Sequence, residues 1–351
     1  GKAMKNWIGF GLAALAAFWA GQAQADNTVR VGFCAKTVTS AAAPFAIANK
    51  YGWFGDFKVE LVALAGSSDC VKYVGTGEIP YSLPSVEPVG AFRPQGIDTK
   101  VFYTAYQGNI YDLEVPVDSP VKTLKDLKGR KIGVASMASG GALVAKAVAA
   151  DLGFTDSVSI IAIGEAAQAA ALAKSGEVQA LYLYDTQYAL IENAGVPLRK
   201  IPNPQFDRFP SNGFIALSDY LAKHRAEAQA LAKGYAMGTV FAIANPEAAV
   251  RINWAEFPYT KATGKDEATA LSDDIKTLQA RIANWKLDKA GVKRWGESSM
   301  ANYQAYLDFL LKYGVFKEPV KATDIVTNDL IPGANAFDQA AVQAQAKAWK
   351  P

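Results

Sequence analysis

The residues best equipped to hold a small molecule fall at recurring points of the chain. Ser136-Met137-Ala138-Ser139-Gly140-Gly141 is a small-residue loop running into an Ala-rich helical stretch. Backbone N–H groups left uncovered at such a helix start, helped by its dipole, suit an anion or polar ligand. Ser136 and Ser139 add hydroxyls there. The matching place one hundred residues upstream holds Lys36 and Thr37, with Lys36 either a cleft cation or merely solvated. Acids stand at other predicted strand ends: Asp69 after Ser67 and Ser68, Glu87 after Ser85, Glu165, and Asp185 after Tyr184. Each is a candidate ligand group or a plain helix cap. Asn212 precedes a predicted return strand. Tyr103, Tyr106, Tyr111 and Tyr182 are candidates to stack on a ring, or core residues.

The elements that position these groups occur twice. Strand patterns at 27–33, 58–65 and 79–83 alternate with helical patterns at 42–51 and 70–74; a second set has strands at 130–135, 158–163 and 178–184 and helices at 142–152 and 166–175. Gly32 and Gly133, Gly52 and Gly153, Gly66 and Gly164, and Gly77 and Gly176 recur 98 to 101 residues apart. The order is β-α-β-α-β in both. The expected fold class is α/β, two lobes with mainly parallel sheets flanked by helices. Ligands then sit beyond the carboxyl ends of the strands, between the lobes. Lobe one is expected over 26–112 and 218–351, and lobe two over 113–217. Val101 to Val115 crosses out of lobe one, Phe214 to Leu217 returns, and the strand-poor tail after it packs on lobe one and the hinge side.

Asp118-Ser119-Pro120-Val121-Lys122-Thr123-Leu124-Lys125-Asp126-Leu127-Lys128-Gly129-Arg130-Lys131-Ile132-Gly133-Val134 and Gly52-Trp53-Phe54 resemble phrases of periplasmic solute-binding proteins of ABC importers. The branch is the one that includes sulfonate-, taurine- and nitrate-binding proteins and thiamine-pyrimidine binders. The resemblance runs from about Val29 to Leu217. It implies a two-lobed type II binding protein that closes on a small molecule and serves a cognate ABC permease in the inner membrane. A ligand-binding module for a sensor would use the same cleft. Thiamine-pyrimidine synthases in that superfamily use a Cys-rich iron motif, a cofactor lysine and histidines. This chain has one cysteine at the matching place, Gly32-Phe33-Cys34-Ala35, and one histidine, His224, in a polar helical stretch. The expectation is therefore a monomeric binding protein with no catalytic residues, cofactor or metal, taking an aromatic or heteroaromatic acid, a sulfonate or a pyrimidine-like solute.

Composition agrees. The chain is 50% hydrophobic and 20% charged, with formal charge +3. Met4-Lys5, the apolar run Ile8 to Trp19 and Ala23-Gln24-Ala25 read as a secretory signal peptide over 1–25, ahead of which Gly1-Lys2-Ala3 looks like a cloning remnant. Removing Lys2 and Lys5 lowers +3 to +1, which offers no electrostatic footprint for nucleic acid. Export to the periplasm permits a disulfide between the two cysteines, Cys34 and Cys70. In the predicted topology the first two strands are neighbours, so both sulfurs fall on one rim; two free buried thiols are the alternative.

Overall fold

Local sequence rules set the elements of the computed structural model, which describes residues 27–351; the expected signal peptide lies outside them. The first unit is β1 (Thr28–Phe33), α1 (Ala43–Tyr51), β2 (Lys58–Ala63), α2 (Ser67–Gly75), β3 (Tyr81–Ser82), α3 (Val86–Ala91) and β4 (Thr99–Thr104). The second is β5 (Tyr111–Pro116), β6 (Lys131–Val134), α4 (Gly140–Asp151), β7 (Ser159–Ala162), α5 (Ala166–Ser175), β8 (Ala180–Tyr184), α6 (Asp185–Asn193) and β9 (Leu198–Lys200). Then follow β10 (Gly213–Leu217), α7 (Ser218–Lys223), α8 (Arg225–Ala244), α9 (Pro246–Glu256), α10 (Glu267–Trp285) and α11 (Met300–Lys312). The repeated helices α1 and α4 are both followed by a turn glycine in the left-handed region, Gly52 at φ 69° and Gly153 at φ 74°, a conformation that costs other residues a Cβ clash.

Two five-stranded sheets result, in the orders β2-β1-β3-β10-β4 and β7-β6-β8-β5-β9. Within each repeat the strands pair in parallel, β2-β1-β3 matching β7-β6-β8. One strand per sheet runs against the rest: β10 is antiparallel to β3 and β4, and β5 is antiparallel to β8 and β9. These are the strands that arrive from the other lobe. The sheets are thus mixed, with a parallel majority.

Several boundaries differ from expectation. The stretch expected to cross as one segment is two strands, β4 in the first sheet and β5 in the second, so the crossing itself is residues 105–110. β10 belongs to the first sheet, because its pairing partners are β3 and β4; the return therefore precedes Gly213. Helix α2 begins at Ser67 and α4 at Gly140, each earlier than the first strongly apolar residues implied. The tail does more than cover lobe one. Phe45 of α1, Phe214 of β10 and Tyr235 of α8 pack edge to face at 4.9 to 5.8 Å, while Gly238 lets α8 approach so closely that a Cβ there would lie 2.3 Å from the Pro44 carbonyl oxygen. Helix α10, however, reaches across to α6 of lobe two.

Cys34 follows β1 and Cys70 lies in the helix after β2, and since those strands are paired the two sulfurs meet. They form a disulfide with Cα atoms 5.9 Å apart, spanning 36 residues of sequence. The chain-entropy account assigns a loop of this size roughly 3–4 kcal/mol. Reducing it, or making the double Cys34→Ser/Cys70→Ser variant, is expected to lower the unfolding free energy by about that amount in urea titrations. Unreduced native protein should show no alkylatable thiol.

Candidate functional site between the lobes

Loops at the carboxyl ends of the strands meet directly between the lobes. After β1, Thr37 donates from its N–H and its hydroxyl to Glu165 Oε2 at 3.0 and 3.2 Å. Glu165 stands at the start of α5, and its Oε1 takes the Tyr184 hydroxyl at 2.6 Å. After β2, the Ser68 N–H donates to the Ala138 carbonyl at 3.0 Å, and the Ser136 hydroxyl returns a bond to the Ala65 carbonyl at 2.8 Å. Two glycines make this approach possible. A Cβ on Gly66 would lie 2.4 Å from the Ala138 oxygen, and one on Gly140 would lie 2.1 Å from Ser85 Oγ and 2.5 Å from Glu87 Oε1.

Glu87 and Ser85 are fully buried. Glu87 Oε2 accepts the Tyr306 hydroxyl at 2.8 Å, while Oε1 has no well-aligned hydrogen-bond partner among the described residues. Burial pushes this carboxyl up to about 7, against opposing pulls from Ser85 and Tyr306. Tyr111, pushed up to about 12 by burial and by the Glu87 charge, places its hydroxyl 3.4 Å from Ser85 Oγ. The Ser85 N–H in turn donates to Ser67 Oγ at 2.9 Å.

A buried ion pair closes the other side. Arg281 of α10 donates from Nε and Nη2 to the two carboxylate oxygens of Asp185 at 2.8 and 2.9 Å, and Asn284 adds a bond at 3.1 Å. The Arg281 guanidinium lies over the Tyr106 ring, 4.2 Å from its centroid. Between these groups is a cavity of about 20 Å³, bordered by Phe33, Thr37, Tyr106, Tyr111, Tyr184 and Arg281. A larger open groove of about 1220 Å³ runs beside lobe two between α6, α10 and the Asp112 and Glu114 face of β5.

The structure brings Thr37, Ser67, Ser68, Ser85, Glu87, Ser136, Ser139, Gly140, Gly141, Glu165, Tyr184 and Asp185 to this junction. Some serve it differently from expectation. Ser139 caps α4 by accepting from the Gly141 N–H at 3.2 Å, and the carboxyl facing the α4 start belongs to this chain's own Glu87. Asn212 is spent on the framework: its side chain donates to the Leu83 carbonyl at 2.8 Å and its own carbonyl accepts the Ala105 and Tyr106 N–H groups. Lys36 is solvent-exposed, and Asp69 is half-buried in the first turn of α2. His224 is exposed and stacks on Tyr220. Sequence reasoning missed Arg281 and Tyr306. The signal for Arg281 was present, since Ala270, Thr277, Leu278, Arg281 and Trp285 form the buried stripe of α10, and an arginine on such a stripe calls for a buried acid.

Gly66 has an extended backbone, φ 171°, that any residue adopts, so Gly66→Ala strains only the lobe junction. It is expected to leave secondary structure intact and to raise amide exchange at 136–141 together with the radius of gyration. Glu87 predicts a pH dependence. Its folded value of about 7 lies above the ordinary 4.5, so its stabilisation is complete below about pH 4.5 and is lost as pH rises through 7. The amount is roughly 3 kcal/mol. Wild-type unfolding free energy should therefore fall between pH 5 and 8, and Glu87→Gln should reduce that fall in parallel urea titrations, leaving the share of Glu114, which burial pushes up to about 8.

The sequence profile of the NMT1/THI5-like family matches residues 39–249, more than half of the chain. No curated protein matches significantly. Solved structures of the same shape include the alkanesulfonate-binding protein SsuA from Xanthomonas axonopodis pv. citri bound to MOPS, with 16% identity, 86% of this chain and 98% of that chain covered, and TM-score 0.64. The periplasmic aliphatic sulphonate-binding protein SsuA from Escherichia coli is 16% identical, with 86% and 92% covered and TM-score 0.62. The periplasmic nitrate-binding protein NrtA from Synechocystis PCC 6803 is 14% identical, with 92% and 98% covered and TM-score 0.61. At these identities the likeness is one of fold. By its sequence profile the chain belongs to the NMT1/THI5-like family, and its fold is the two-lobed framework of periplasmic binding proteins.

Proposed function

We propose that this protein is the extracytoplasmic solute-binding component of an ABC importer, capturing a small organic molecule between its lobes by hinge closure and presenting it to a permease in the inner membrane. The observation that carries this reading is the junction itself. Strand-end loops of both lobes touch through a few hydrogen bonds, Thr37 to Glu165, Ser68 to Ala138 and Ser136 to Ala65, while the chain passes between the sheets beside Asn212. There the Ala105 and Tyr106 N–H groups share the Asn212 carbonyl and the Ser211 N–H returns to Tyr106. Two short crossings laid side by side are a natural hinge.

A solute seated in the cleft stabilises the closed arrangement only through contacts it makes with both lobes at once. Micromolar affinity corresponds to about −8 kcal/mol, within reach of a few charge-assisted hydrogen bonds and one buried ring. The sulfonate- and nitrate-binding names of the fold neighbours support a transport role. The Cys34–Cys70 disulfide suits an oxidising compartment outside the cytoplasm, in keeping with the signal-peptide pattern at 1–25.

The test is X-ray scattering on ligand-stripped protein with a panel of benzylamine, benzamidine, benzoate, benzenesulfonate and taurine. A compound that raises the melting midpoint should also reduce the radius of gyration. Stabilisation without any compaction would overturn hinge closure.

A further inference from the structure

One buried group at the lobe junction has an unfinished bonding pattern. Glu165 spends its oxygens on Tyr184 and Thr37, and Asp185 spends its own on Arg281 and Asn284. Of these acids only Glu87, although fully buried, keeps an oxygen, Oε1, that meets no well-aligned donor among the described residues; Ser85 Oγ lies beside it but makes no bond of good geometry to it. That oxygen is at the contact surface between lobes, since a Cβ on Gly140 of the opposite lobe would come within 2.5 Å of it. A buried carboxyl with an idle acceptor is costly unless something supplies a donor or a countercharge.

Its surroundings narrow what that something is. The titratable groups coupled to Glu87 are tyrosines from three different elements: Tyr111 on β5, Tyr182 on β8, and Tyr303 and Tyr306 on α11. Burial raises all four phenols above their ordinary value, so they are neutral at pH 7. Among the described residues, what sets the Glu87 carboxyl is burial, Ser85, Tyr306 and its own backbone, none of them cationic. With neutral phenols as its coupled neighbours, an ionised Glu87 lacks a countercharge that a cation would supply. An anionic ligand group at the same place would meet a like charge in a poorly screened setting whenever Glu87 is ionised.

We propose that Glu87 sets the ligand class: the cleft takes a small organic cation, an amine or amidine, whose N–H groups donate to Glu87 Oε1 among Tyr111, Tyr182, Tyr303 and Tyr306. This rests on the solute-binding reading above and names its substrate class. Binding such a cation favours the ionised carboxylate, so below about pH 7 Glu87 gives its proton to the solvent as the ligand enters.

The test is calorimetry and thermal shift on ligand-stripped protein, with benzylamine and benzamidine set against benzoate and benzenesulfonate, at pH 6 and pH 8. The expected result is saturable stabilisation by the cations alone. At pH 6 the binding heat should vary with the ionisation enthalpy of the buffer, reporting proton release. Glu87→Gln should keep the wild-type melting midpoint at pH 6, weaken cation binding by about tenfold or more, and abolish the buffer dependence. Binding of the anions but not the cations, undiminished in Glu87→Gln, would overturn the ligand class and leave the binding-protein reading intact. Cation binding indifferent to Glu87→Gln would overturn the role of Glu87. Silence toward both sets from folded protein would overturn the ligand class and leave the binding-protein reading to other solutes.

Discussion

The ion pair between Asp185 and Arg281 is the constraint around which the molecule is arranged. Its two side chains are only 7% and 4% exposed, and neither charge is tolerable there alone; removing one partner of such a pair costs about 3–5 kcal/mol. Asp185 opens α6 in lobe two, and Arg281 comes from α10, which is anchored through the tail to lobe one. Asn284 adds a third bond and the Tyr106 ring, on the crossing segment, forms the floor under the guanidinium. Tail helix, second lobe and crossing are thereby held in one register, and separating the lobes requires rehydrating both charges together.

Against that fixed side, the opposite side of the junction is held by weaker contacts. The Ser68 and Ser136 bonds are each worth about 0.5–1.5 kcal/mol net and those from Thr37 to the Glu165 carboxylate about 1.5–3, and the loops that make them carry glycine where the lobes approach most closely. Gly66 and Gly140 belong to different lobes, and each faces polar atoms of the other. A strong latch near the tail and a light seam across the strand-end loops form an asymmetric junction. Glu87 sits on that seam, with α3, α4 and α11 converging around it.

The disulfide serves the same seam from below. Cys34 and Cys70 lie just outside the two loops that reach lobe two, at Thr37 and Ser68, so the bridge ties their roots together. The aromatic packing of Phe45, Phe214 and Tyr235 does the equivalent work for the tail, locking α8 onto α1 and β10.

Much of this was legible in the residue pattern because it depends on local physics. Recurrent turn glycines such as Gly52 and Gly153, alternating strands and Ala-rich helices specified a doubled β-α-β-α-β unit, and pairing of the first two strands implied that Cys34 and Cys70 meet. The strand-end placement of Thr37, Ser85, Glu87, Ser136, Glu165 and Asp185 followed from the same order. Direction, partner and burial were a different matter, because they depend on residues far apart in the chain. Nothing local distinguishes Glu87, with an idle buried oxygen, from Asp69, half-buried in the first turn of α2, or from Asp185, neutralised by a residue 96 positions away. Nor does local sequence reveal that the carboxyl facing the α4 start is Glu87, that Tyr306 supplies its hydrogen bond from 219 residues downstream, or that Lys36 points to solvent. Composition and periodicity determined the two lobes and their loops; only the tertiary packing decided which acid was buried without a countercharge, since pairing is settled by distance in space and a charge's energy by the solvent it has lost.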